Sequence, residues 1–121
     1  MALQAEMKRA IRKVARILQR YAAAQGWRPG EYRIYFRPNE EWGYIKIILV
    51  AKGFPGKDEF EQWESVINLL EKELKDDRPL FEALGLNLRT FDQVAEGGIY
   101  AIPDSYEEVE DLLGSRLTAD D

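Results

Sequence analysis

The 121-residue sequence contains neither cysteine nor histidine. Without cysteine there are no disulfides, no thiolate metal ligands and no thiol nucleophile. Without histidine there is no imidazole to act as acid, base or ligand near neutral pH. Carboxylate and carbonyl oxygens are the remaining metal donors, and these suit Mg²⁺ or Ca²⁺ rather than zinc, copper or iron. No apolar run approaches the roughly 18 residues of a membrane span. Serine occurs at Ser65, Ser105 and Ser115, with no histidine to activate any of them. The acidic pairs Glu40-Glu41 and Asp76-Asp77 fall in expected turns or helix ends, where adjacent carboxylates face solvent. The sequence therefore reads as non-catalytic, with no cofactor and no bound metal.

Apolar residues make up 45% of the chain and charged residues 32%, the balance of a folded domain rather than a disordered one. The length suits one domain, taken as residues 1–116, followed by a frayed acidic tail at 117–121. The formal net charge of −5 conceals a gradient. Residues 1–37 hold nine Lys/Arg and two Asp/Glu, net +7, whereas residues 103–121 hold one and seven, net −6. Such a gradient accompanies nucleic-acid binding at one end or attraction between the two ends. Overall acidity favours the second.

Residues 3–22 have helical periodicity. Leu3, Met7, Ile11, Val14, Leu18 and Tyr21 form one stripe, opposite Lys8, Arg9, Arg12, Lys13, Arg16 and Arg20. This helix could lie on an anionic membrane, be a cleaved presequence, or pack in the core. The strands that follow need helices to cover them, which favours the core. Glu31 to Arg37 alternates as a strand, and residues 38–43 read as a hairpin connection. Tyr44 to Ala51, apolar on both faces except at Lys46, reads as a covered central strand. Asp58 and Glu61 have capping-box spacing ahead of a helix carrying Phe60, Trp63, Val66, Ile67, Leu70 and Leu74 as its apolar side. Pro79 opens a short helix, Leu86–Phe91 and Ile99–Ile102 read as strands, and a last helix carries Tyr106, Val109, Leu112 and Leu113 to a stop at Gly114. The order α-β-β-α-α-β-β-α specifies a two-layer α+β fold. Its small, mainly antiparallel sheet of three or four strands has helices on one face.

The stretch from Tyr44 through Phe54-Pro55-Gly56 to Leu86-Asn87-Leu88-Arg89-Thr90-Phe91 resembles the BolA family. The shared pattern is an apolar strand, a Phe-x-Gly turn, a helix and a strand of alternating apolar residues. The resemblance implies a KH-like α+β fold. BolA-like proteins carry a histidine in the last strand, used with glutaredoxin partners to hold an iron–sulfur cluster. This chain has Arg89 there, and Gln62-Trp63 where the family has Arg-His, so the resemblance implies no cluster. Gly53-Phe54-Pro55-Gly56, flanked by Lys52 and Lys57, also has the G-x-x-G spacing with which KH domains clamp a nucleic-acid backbone. That KH loop joins two helices, whereas this one is read as joining a strand to a helix.

The candidate binding surface is the sheet face turned away from the helices. Strand alternation places Arg33, Tyr35 and Arg37 there, with Tyr44 and Lys46 from the second strand and Arg89 and Phe91 from the third. Aromatic and basic residues on an open sheet suit a protein interface, including a homodimer. The same mixture suits stacking of single-stranded nucleic acid. The expected function is a cytoplasmic protein-interaction module, self-association included, with single-stranded nucleic-acid binding as the alternative and no membrane partner. The purified protein is expected to carry no stoichiometric zinc, copper, iron or iron–sulfur cluster. Elemental analysis showing one equivalent of any of these overturns the reading.

Overall fold

A computed structural model describes residues 3–53 and 58–114. The Phe54-Pro55-Gly56 turn, Lys57 and the acidic tail at 117–121 lie outside them. Helix α1 spans Ala5–Ala24 and buries the expected stripe, with Ile11, Val14, Leu18, Tyr21 and neighbouring residues turned inward. It stops at Gln25, and Gly26 then adopts a φ of 79°, a left-handed conformation that glycine takes without strain. On its outer side Lys13 lies 3.8 Å from Asp77, and Arg20 lies 3.4 Å from Glu73. The basic helix is therefore a core helix, tied by its charged side to acidic residues later in the chain.

Strands β1 (Tyr32–Asn39) and β2 (Tyr44–Ala51) form an antiparallel hairpin. Helix α2 (Glu59–Glu73) begins as its capping signal requires, the Asp58 carboxylate accepting a 2.7 Å hydrogen bond from the Glu61 N–H. A short helix α3 (Arg78–Glu82), with Pro79 in its first turn, leads into β3 (Leu84–Thr90), which pairs parallel with β2. After α4 (Phe91–Glu96) and a single 3₁₀ turn (Gly98–Tyr100), the two-residue strand β4 (Glu107–Glu108) pairs antiparallel with β1. Helix α5 (Val109–Leu113) closes the described fold, ending on left-handed Gly114. The sheet order is β3-β2-β1-β4. α1, α2 and α5 enclose the core against one sheet face, around Phe36, Ile47, Leu49, Val66 and Leu70. The class is the expected α+β, with a four-stranded open mixed sheet.

Three expectations are corrected. The third strand ends at Thr90 instead of including Phe91. A reciprocal capping box forms there: Thr90 Oγ1 accepts from the Gln93 N–H and Gln93 Oε1 accepts from the Thr90 N–H. These two local bonds turn the chain into α4 and override the apolar alternation. Ile99–Ile102 is not a strand: residues 98–100 form the 3₁₀ turn and Ile99 is exposed. The fourth strand is instead Glu107–Glu108, held by its register against Tyr35 and Phe36 rather than by any apolar pattern of its own. The third correction concerns α2. Val66, Leu70 and Leu74 are buried as expected, but Phe60 is 66% and Trp63 37% exposed, while Gln62 is buried in their place. Helical geometry puts Phe60 about 120° round the helix from Val66, outside the arc that meets the core.

Val14 is fully buried. Val14→Asp is expected to cost about 3–4 kcal/mol, because an unpaired carboxylate replaces an aliphatic side chain in a dry layer. Denaturant unfolding measures this. An unchanged midpoint would make α1 a detachable arm.

Candidate interaction surface

Sheet register decides which side chains share a face. Arg33 stands opposite Val50 and, across β2, Val50 stands opposite Arg89. Tyr35, Ile48 and Asn87 make the next row, Arg37, Lys46 and Gly85 the third, and Asn39 and Tyr44 the last. The structure thus places Arg33, Tyr35, Arg37, Tyr44, Lys46 and Arg89 on one face, as expected. Phe91 does not join them, because it opens α4.

The face is not open. β3 and β4 are the two edges of the sheet, so the link between them must cross β2 and β1. Its aromatic rings show which way it goes. The Arg89 guanidinium lies 5.6 Å from the Tyr100 ring centre, and that of Arg37 lies 5.6 Å from the Tyr106 ring centre. Both arginines point away from the helices, so the link runs over the second face. Beneath it Ile48 and Val50 are 3% and 1% exposed, although neither belongs to the helix-side core.

The cations of this face already have partners within the chain. Arg33 Nη1 is 3.1 Å from Glu108 Oε1, and the Tyr35 hydroxyl donates to the same oxygen at 3.4 Å. The Tyr35 hydroxyl and then the Glu108 charge raise the Arg33 pKa above its ordinary value, so the guanidinium stays charged. Lys46 Nζ sits 5.7 Å from the Tyr44 ring centre, and the Tyr44 hydroxyl accepts from Asn39 Nδ2. Arg89 Nη1 donates to the Leu88 carbonyl at 2.9 Å. The expected attraction between basic start and acidic end takes concrete form in Arg33 and Glu108.

A different surface lies at the β3 edge. The rings of Phe60 and Trp63 stack with centres 6.3 Å apart and planes 27° from parallel. They border a shallow cleft of about 300 Å³ that also touches Glu59, Asn87 and Arg89. A neighbouring cleft of about 210 Å³ shares Glu59 and Arg89 and extends to Gln62, Thr90 and Gln93. Trp63 Nε1 donates to the outward carbonyl of Leu86 at 2.9 Å. The sequence assigned both rings to the core because they are apolar. The available clue was Gln62, one position from Trp63 and in register with Val66 and Leu70 at four-residue spacing.

Catalytic chemistry gains no support. Ser65 donates to the Gln62 carbonyl at 2.9 Å and meets the Tyr21 hydroxyl at 3.1 Å, a helix-packing role. Among the described residues, no three acidic side chains converge to hold a metal ion. No helix of the described residues is long and apolar enough to cross a membrane.

Because Arg33 is ion-paired, Arg37, Lys46 and Arg89 lie against rings, and the centre is covered, the second sheet face is expected not to hold single-stranded nucleic acid. A fluorescent oligonucleotide titrated at low salt should show no binding at micromolar protein. Salt-sensitive binding abolished by Arg33→Ala or Arg37→Ala would reverse this conclusion.

Comparison with protein families, with characterised proteins and with solved structures gives no match.

Proposed function

We propose that this chain is a non-catalytic protein-interaction module whose contact surface is the β3 edge, with Phe60 and Trp63 at its centre. One observation carries the reading: two large aromatic side chains stack on each other in solvent beside an edge strand. Exposed aromatic area of this kind is stabilised when a partner covers it, and aromatic residues are enriched at the energetic centres of interfaces. The nucleic-acid alternative rested on the basic sheet face, whose arginines are engaged by Glu108, Tyr106 and Tyr100. The BolA resemblance, in this reading, concerns lineage of the fold. Arg89, at the position of the family's histidine, is held against a backbone carbonyl and an aromatic ring.

The test uses the immobilised protein and its Phe60→Ser variant in native lysate. Phe60 is largely in solvent, so the substitution is expected to leave the melting temperature nearly unchanged. At least one protein should be retained by the parent and lost with the variant. Identical retention by the two refutes the surface.

A further inference from the structure

The β3-edge surface has a charge sign as well as an apolar centre. Glu59, Glu61 and Glu64 are exposed on the first two turns of α2 around Phe60 and Trp63. None of the three has an ion-pair partner among the described residues, whereas Glu71 and Glu73 further along the helix are paired with Arg78 and Arg20. Glu64 follows Phe60 by four residues and so stands beside its ring on the helix surface. Among the described residues Arg89 is the one cation lining the two clefts, and it is turned to the Leu88 carbonyl and the Tyr100 ring. Carboxylates without a salt bridge among the described residues therefore flank the aromatic pair.

The edge is also partly blocked against strand addition. Backbone groups of even-numbered residues in β3 point outward, because the odd-numbered Ala83 carbonyl bonds the Ile45 N–H of β2. Trp63 occupies the Leu86 carbonyl, Arg89 the Leu88 carbonyl, and Gln93 the Thr90 N–H. These bonds compete with a continuous backbone ladder and favour contact through side chains.

From these features we infer that the occupant is a positively charged segment of another protein, carrying one aromatic or large aliphatic residue that packs against Phe60 and Trp63. Its Lys or Arg side chains pair with Glu59, Glu61 and Glu64. This deepens the interaction-module reading and rests on it. A second copy of the chain is a poor match. Among the described residues its other exposed large apolar side chains bring like charge, Trp42 following Glu40-Glu41 and Ile99 following Glu96 at three residues. Its basic helix brings charge with no exposed large apolar side chain. Nucleic acid would meet the same carboxylates with its phosphates.

The experiment selects random linear peptides on the immobilised full chain, then measures the retained sequences by fluorescence anisotropy against variants. Retained peptides are expected to be net positive and to contain an aromatic or large aliphatic residue. Phe60→Ser should weaken them by about tenfold or more. The pair Glu61→Lys and Glu64→Lys should weaken them at low salt and much less at high salt. Thermal melts establish that both variants are folded. Selection of neutral or acidic peptides overturns the inference, as does failure to select any Phe60-dependent peptide. In either case, lysate proteins still lost with Phe60→Ser would leave the interaction surface standing and show that only the partner chemistry was wrong. Polythymidine binding that depends on Phe60 would also overturn it, in favour of nucleic acid.

Discussion

Strand β2 is apolar on both faces, so however the helices pack, one row of its aliphatic side chains is left over. Ile45, Ile47, Leu49 and Ala51 enter the core beneath α1 and α2. Ile48 and Val50 face the other way and are buried nonetheless. Something must cover them, because exposed aliphatic area on that scale opposes folding. The chain supplies the cover itself. Placing β3 and β4 at opposite edges forces their link across the second face, and the same topology makes β2 a two-sided interior strand.

That solution engages the basic and aromatic residues of the second sheet face. Arg37 and Arg89 serve as posts on which Tyr106 and Tyr100 rest. Arg33 and Tyr35 converge on one Glu108 oxygen and so fix the two-residue strand β4, which has little backbone pairing of its own. Each of these contacts is individually modest, since exposed ion pairs and cation–π contacts contribute about 1 kcal/mol or less. Their role is positional: they set the path of a link with little regular structure. Residues with the composition of a nucleic-acid surface are here fastenings for the chain's own C-terminal part.

What the proposed partner would meet is decided at the edges. β4 is short and carries two glutamates, which discourages pairing with another strand. β3 is longer, and three of its outward groups, the Leu86 and Leu88 carbonyls and the Thr90 N–H, are occupied by Trp63, Arg89 and Gln93. Blocking the edge with an indole has a consequence. The ring that satisfies a carbonyl also exposes part of its face, beside a phenyl ring that no core residue covers. Protection of the backbone and presentation of an aromatic surface are the same arrangement.

The sequence by itself determined the elements whose signals are local and repeated. α1 follows from spacing over five turns, the hairpin from two alternating runs around a polar turn, and the start of α2 from Asp58. The six sheet-face residues on β1, β2 and β3 were legible too, because strand parity is fixed by the backbone. The end of β3 is local as well: Thr90 and Gln93, three residues apart, stop it through a reciprocal bond that outweighs the apolarity of Phe91. Tertiary structure alone decided the rest. Glu107–Glu108 becomes a strand because β1 offers it a vacant edge, a property of another segment. Phe60 and Trp63 are apolar in composition, yet whether an apolar side chain is covered depends on where the neighbouring layer ends. Here the layer ends at β3, and the surface proposed for function lies just beyond it.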